Sequence, residues 1–403
     1  MSNDKPRIFL GLRENSNILR GYIQGFQALG CPVMSVINSD HPFYSSSQFH
    51  IVLTNEIKKK YPNLKNQALQ KIAQIPISQK IFSDVIKNCD IFIFISGKSF
   101  FIPPLDTMHI LKKHGKKIVS VCVGTDIRYN YAFEQEANYL GFADEIGPRI
   151  EIGKTFDKKN YYDYKIRLVR HIEKNSDLIL TQPDCAQLMV KPYMRLNLPI
   201  DILNLKNNVP GRKVPIIVHA PSRRANKGTE YILKAIDELY SEGFNFEFKL
   251  LEKISNQDVI NHLENADIVV DQLFSQTIAT LALEGMATGN IVLARYMAER
   301  VKISPDCPAV NTNIYTLKDN LRRAITDVDW RIQKASQGRQ YVQKYHDPVV
   351  VAQQILDWLQ PNDNKIYDFT PSFFQNHFHI SSEILRGERK ELIKKILTKI
   401  FNP

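Results

Sequence analysis

VPIIVHAPSRRANKGTEYILKAI, residues 214–236, joins a continuous apolar run to a helix-like pattern through a loop with two arginines, a lysine and a glycine. "PIIVHA" reads as a strand covered on both faces, because no polar residue alternates with the apolar ones. Gly228 and Thr229 open an amphipathic helix with Ile232, Leu233 and Ile236 inward. Ser222, Arg223, Arg224 and Lys227 therefore fall between the carboxyl end of a strand and a helix N-terminus. Unsatisfied N–H groups and the helix macrodipole favour an anion there. Arginine adds bidentate oxygen contacts and lysine a point charge, so the loop is a candidate diphosphate site. A solvated basic turn is the plainer alternative.

The same alternation runs outward from this stretch in both directions. Downstream, "FEFKLLE", "DIVVDQL" and "NIVLARY" are strands separated by the helices "SNQDVINHLENA" and one that ends near Gly289. Upstream, "RIFLGL", "CPVMSVI", "CDIFIFIS" (89–96), "KKIVSVCVG" (116–124) and "DLILTQP" (177–183) repeat the pattern, the last closing the first half. "NILRGYIQGFQALG" and "PLDTMHILKKHG" are two of the intervening helices, and Gly30 is placed to end the first. Strands alternating with helices at this spacing predict doubly wound α/β sheets. A polar, proline-containing stretch, 198–215, interrupts the pattern and reads as a linker. The expected organisation is α/β, with two tandem Rossmann-like domains facing across a cleft: 1–205, 206–360, and a basic amphipathic tail over 361–403. A chain of 403 residues is long enough for two such cores.

Composition narrows the class. The chain is 43% apolar and 24% charged, with no low-complexity block. Its five cysteines, Cys31, Cys89, Cys122, Cys185 and Cys307, are widely spaced and form no C-x-x-C pair, which argues against a disulfide framework or structural zinc and for a reducing compartment. The N-terminus runs straight into a short strand-like stretch, and no apolar run reaches the roughly 18–20 residues that span a bilayer, so a cytoplasmic protein is expected. A net charge of +11 favours polyanionic neighbours. No helix-turn-helix, zinc finger or RNP-type strand points to nucleic acid. A membrane surface has local support. "ILRGERKELIKKILTKIF" (384–401) gathers Leu385, Leu392, Ile393, Ile396, Leu397, Ile400 and Phe401 on one helical face against six basic residues. A terminal helix docked on a core would read the same way.

A second motif bears on the loop at 222–227. "ADIVVDQLFSQTIATLALEGMATGNIVLARY" (266–296) reads as strand, polar loop, helix, glycine stop, strand. Glu284 lies about one turn into the helix, flanked by Ala282, Leu283, Met286 and Ala287, and Gln276 stands eight residues earlier. A carboxylate in apolar company needs donors, and the vicinal hydroxyls of a ribose would supply two.

Together, "HAPSRRANKGTEYILKAI" and "DIVVDQL…ALEGMATGNIVLARY" resemble the C-terminal domain of the retaining GT-B glycosyltransferases of family four. "RQYVQKYHD" (339–347) and, more loosely, "KKIVSVCVGTDIR" (116–128) extend the likeness over most of 1–360. The resemblance implies a sugar transfer from a nucleotide-diphosphate donor, a UDP- or GDP-sugar, to a hydroxyl acceptor on a glycan, lipid or other molecule, with retention and without metal or cofactor. Arg224 and Lys227, with Arg223 as an alternative to Arg224, would hold the diphosphate, and Glu284 would take the ribose. Ser222, Thr277 and Thr280 complete the expected donor site, and Arg224, Lys227 and Gln276 are the candidate catalytic groups. Three positions depart from the family pattern: Gln276 stands where the first glutamate of Glu-x7-Glu contacts the sugar, Ala279 where glycine is usual, and Val123 where a histidine is usual. Gly124, Asp126 and Arg128 are retained. On the acceptor side, Asn15, Ser16 and Asn17 after the first strand, with Asp126 and Arg128, are the candidates; loop capping would use the same residue types. The rival expectation is a non-catalytic GT-B-like binding protein at a membrane surface that keeps the pocket without turnover.

Overall fold

The computed structural model describes residues 5–40, 44, 46–124, 126–139, 141–142, 159–362 and 365–371. The basic stretch 384–401, read either as a membrane-surface helix or as a docked terminal helix, lies outside the described residues. No described helix is long and apolar enough to cross a membrane. The chain divides into two compact units. Among the described residues, the first takes in the chain through Tyr129, the stretch ending at Leu196 and the residues from Ala352 on; the second takes in those from 130 to 142 and Asn197–Val351.

In the first unit β1 (Ile8–Leu12), α1 (Ile18–Ala28), β2 (Val33–Ile37), β3 (Ile51–Val52), α2 (Leu53–Lys60), α3 (Gln67–Asn88), β4 (Ile91–Ile95), α4 (Thr107–Lys113) and β5 (Lys117–Val121) follow in order. After α5 (Asn130–Tyr139), which groups with the second unit, α6 (Lys159–Asn175), β6 (Leu178–Thr181) and β7 (Met194–Arg195) complete the set. The strands form one parallel sheet in the order β3-β2-β1-β4-β5-β6-β7. Every residue of β1 and β4 is buried, as helices on both faces demand. Phe9, Phe92 and Phe100 pack together in that core with tilted rings, Phe9 lying 5.3 Å from Phe92 and 5.4 Å from Phe100 between ring centroids. The strand expected to end this half, β6, has a further neighbour. Two residues at Met194–Arg195 add an outer strand, too short to show any apolar run, and Tyr193 bridges to Phe369 from the far end of the chain.

The second unit contains β8 (Ile216–His219), α7 (Arg224–Lys227), α8 (Thr229–Ser241), β9 (Glu247–Leu250), α9 (Asn256–Leu263), β10 (Ile268–Val270), α10 (Thr280–Ala287), β11 (Ile291–Ala294), α11 (Ala298–Val301), β12 (Val310–Asn311), α12 (Leu317–Thr326) and α13 (Val328–His346), and α14 (Pro348–Leu359) leads out of it. Its parallel sheet has the order β12-β11-β10-β8-β9. Ile232, Ala235, Ile236 and Leu239 recur at helical spacing and bury one face of α8. Two stretches differ from what the sequence pattern predicts. Residues 224–227 form a one-turn helix rather than a plain loop, with Gly228 at φ 73° between it and α8. The stretch 198–215, read as a linker, is stitched to the second unit by two arginines of α13. Arg339 donates to the carbonyls of Leu205 and Ala287, and the fully buried Arg331 donates to those of Pro210 and Ala324.

Candidate active site

In the second unit the chain leaves β8 toward β9 and later returns to the other side of β8 as β10. The order of strands thus reverses between β8 and β10, and loops diverging from such a point leave a crevice at the carboxyl ends. Both sequence motifs lie there. Ser222, Arg223 and Lys227 follow β8, and Gln276, Thr277 and Thr280 follow β10.

Lys227 bridges the two loops. Its ammonium donates to Asp271 Oδ1 at 2.7 Å and to Gln272 Oε1 at 3.1 Å, and its carbonyl accepts from Leu273 N at 3.1 Å. Asp271 is fully buried, and its Oδ2 has no partner among the described residues. An ammonium has three donors, so one N–H of Lys227 remains for a ligand. The chain can pass this close only because Gly228 has no side chain: a Cβ there would stand 3.1 Å from that of Leu273, at a φ glycine adopts freely.

Arg224 is placed differently from the expectation. Its Nε and Nη2 reach the two oxygens of Glu252 at 2.8 Å each, and Nη1 reaches Glu230 at 3.3 Å. This fork holds the Glu252 carboxyl below its usual range. Three of its five N–H donors are thus taken, and a bidentate grip on a diphosphate through Nε and Nη2 requires releasing Glu252. Arg223, the alternative, is exposed, and among the described residues its guanidinium has no partner. Ser222 is exposed beside it.

Two further features face the same end of the sheet. The eight-residue α10 has Ala279 as its N-cap, which makes no side-chain hydrogen bond to the first N–H groups of the helix. Glu284 sits in its second turn, 6% exposed, with Asn256 Nδ2 donating to Oε1 at 3.3 Å. Burial, and secondarily the charge of Asp271, push its carboxyl up to about 7, against the opposing pull of the Asn256 hydrogen bond. His219, at the end of β8, is closed off from any ligand. Its Nδ1 meets the carbonyl of Val270 at 2.8 Å, so Nδ1 carries the proton, and Nε2 meets Thr229 Oγ1 at 2.9 Å. Burial lowers its pKa to about 4, and the ring acts as a neutral latch between β8, β10 and α8.

Gln276 is 2% exposed, and its Oε1 accepts from Arg300 Nε. Arg300 went unnoticed in the sequence. It lies on the four-residue α11, with no motif around it, and only the order of β10 and β11 in the sheet brings it to Gln276.

In the first unit the acceptor candidates share the carboxyl edge of one sheet, after β1 and after β5. Ser16 and Asn17 take left-handed conformations, φ 55° and 60°, and the Ser16 hydroxyl lies 3.4 Å from Asn15 Oδ1. Asp126 and Arg128 serve the scaffold. Asp126 accepts from the backbone N–H groups of Val123 and Ile127, both at 2.9 Å, while Arg128 donates to the carbonyl of Asp184 at 2.7 Å and pairs with its carboxylate.

No family model matches the sequence, and no curated protein matches it. Solved structures do match in fold. An alpha-glucosyltransferase in complex with UDP-glucose and DNA superposes with a TM-score of 0.57 at 11% identity, over 88% of this chain and 100% of that one. A sucrose-phosphate synthase from Thermosynechococcus elongatus gives 0.57 at 12% identity over 88% and 98%, and Anabaena HepE in complex with UDP and glucose gives 0.52 at 11% over 88% and 99%. With two parallel α/β sheets, of seven and five strands, the chain has the GT-B fold.

Proposed function

We propose that this chain is a retaining glycosyltransferase that moves a sugar from a nucleoside-diphosphate donor, a UDP- or GDP-sugar, to a hydroxyl acceptor without a metal ion. The observation that carries the reading is Lys227: a largely buried ammonium with one donor to spare, held where the strand order of the second sheet reverses. As the anomeric C–O bond breaks toward an oxocarbenium-like state, negative charge grows on the departing diphosphate. Lys227, an arginine from 223–224 and the N-terminus of α10 stabilise that charge more than they stabilise the ground state. Arg223, whose guanidinium has no partner among the described residues, is the readier of the two arginines, since the Nε–Nη2 edge of Arg224 already holds Glu252. Glu284 accepts from ribose hydroxyls, which replace the water it lacks in its buried position. On the same face the leaving phosphate assists the acceptor hydroxyl. Structural neighbours that hold UDP or UDP-glucose support this choice of ligand.

Two observations favour the second reading, a nucleotide-binding protein without turnover: Arg224 is engaged by two carboxylates, and Gln276 stands where the family's sugar-facing glutamate is usual. A thermal-shift panel of UDP, GDP, ADP, TDP and their sugars identifies the base, because a ligand that binds only the native state raises the melting temperature. Release of nucleoside diphosphate from the matching sugar then separates enzyme from binder. Lys227→Met combined with Asp271→Asn, which leaves no unpaired buried charge, is expected to weaken nucleoside-diphosphate binding by at least about tenfold. Unchanged affinity in calorimetry would remove the diphosphate assignment.

A further inference from the structure

The loop after β10 and the short α11 after β11 meet at one amide. Arg300 Nε donates to Gln276 Oε1, and Met297 N donates to the Gln276 carbonyl at 3.0 Å, so both the side chain and the backbone of Gln276 are tied to this neighbour. A guanidinium has donors only, and the amide atom that faces it must therefore be the oxygen. The Gln276 NH2 is left over: it is buried, and among the described residues it has no partner. A buried donor without an acceptor costs free energy that a ligand can return. Arg300 is not itself an open anion site, because Nη2 pairs with the Glu136 carboxylate from α5 and the guanidinium carbon lies 5.7 Å from the Phe142 ring centroid. The pair is mostly shielded from water, 20% and 10% exposed, so its geometry is better held than that of a surface bridge.

We propose that Arg300 is a positioning residue of the donor site, holding the Gln276 carbonyl inward so that the donor sugar meets an N–H2 and is recognised there through a hydrogen-bond acceptor oxygen. This rests on the donor reading above and adds a sign to it. A glutamate at position 276 would offer acceptors only and would have to be met by a sugar O–H. Gln276 held by Arg300 keeps its Oε1 on the guanidinium and offers the sugar its N–H2, which is met by a lone pair: a hydroxyl oxygen, an N-acyl carbonyl or, most strongly, the carboxylate of a hexuronic acid.

The test compares the nucleoside diphosphate with its sugar, since the difference isolates the sugar contact. With the full chain, titration calorimetry with UDP, UDP-glucose and UDP-glucuronic acid, or with GDP and GDP-mannose if guanine is the base, gives the gain in affinity due to the sugar. Arg300→Met combined with Glu136→Gln is expected to leave nucleoside-diphosphate affinity unchanged and to cut the sugar's gain by about tenfold. Arg300→Lys, which still donates to Oε1, is expected to restore most of that gain. Gln276→Glu is expected to weaken the carboxylate-bearing sugar more than the neutral one. If nucleoside diphosphate binds normally but the sugar's gain is the same in the double variant, this inference falls and the donor reading stands. If the sugar's gain falls but Arg300→Lys does not restore it, the amide-positioning role is wrong. If the unsubstituted chain binds no nucleotide, both fall together.

Discussion

At the scale of single residues, the site is a set of charges whose partners are already chosen. Asp271 steadies Lys227, Glu252 occupies Arg224, Arg300 orients Gln276, and among the described residues Glu284 has one long hydrogen bond, from Asn256. Glu284 carries the clearest consequence for pH. Its carboxyl is raised from 4.5 to about 7 chiefly by burial, so between those values the native state keeps a proton that the unfolded chain gives up. Stability conferred by that proton is complete below about 4.5, falls as pH rises toward 7, and is gone above it. Glu284→Gln is neutral at every pH. Relative to the parent it is expected to gain stability between pH 5 and pH 8, by up to roughly 3 kcal/mol. Urea titrations of both proteins at the two pH values measure this directly, and an identical difference at both would mean that Glu284 ionises freely in the native state.

At the scale of elements, the turns that aim the site are fixed by backbone geometry. Gly289 closes α10 at φ 83°, and a Cβ there would stand 2.1 Å from the Asn208 carbonyl oxygen, a backbone atom rather than the end of a flexible side chain. Gly289→Ala is expected to cost roughly 3 kcal/mol or more, combining left-handed strain with that clash; a loss below about 1 kcal/mol in denaturant unfolding would show that the 207–208 turn yields. This glycine was legible, because it follows an apolar helix and precedes a strand. So were β1, β4, β8, β10 and β11, whose uninterrupted apolar runs are what a two-sided covering requires. β7 and β12 were not, since two residues carry no pattern and their pairing is decided by the strand beside them. α7 was hidden for a related reason: "RANK" has no apolar period, and it is a helix because Gly228 can reverse the chain after it. The cationic loop was legible from charge at a strand end. Its counter-ions Glu252 and Asp271, and Arg300 behind Gln276, follow from which strands lie side by side, and the local sequence is silent on that.

At the scale of the whole molecule, the unit that begins the chain is also finished by its end. Tyr193 exchanges both backbone hydrogen bonds with Phe369, N–O distances 3.0 and 3.1 Å, and their rings lie 5.3 Å apart. Beside them Arg195 Nη2 meets Asp368 Oδ1 at 2.7 Å, and the Asp368 carboxylate also accepts from Arg195 N at 2.9 Å. The segment therefore covers the outer strand of the first sheet, an edge that would otherwise present open N–H and C=O groups. Phe369 is 8% exposed, and burying such a ring contributes about 2 kcal/mol, to which the partly exposed ion pair adds less than about 1. Ending the chain after Asn362 should remove all of these contacts, whereas ending it after Pro371 keeps them. The shorter protein is expected to melt roughly 5 °C or more below the longer one, and its β6–β7 edge should lose amide protection in hydrogen exchange. Equal melting temperatures would mean that β7 holds its place through β6 alone and that the returning chain is a passenger on the sheet.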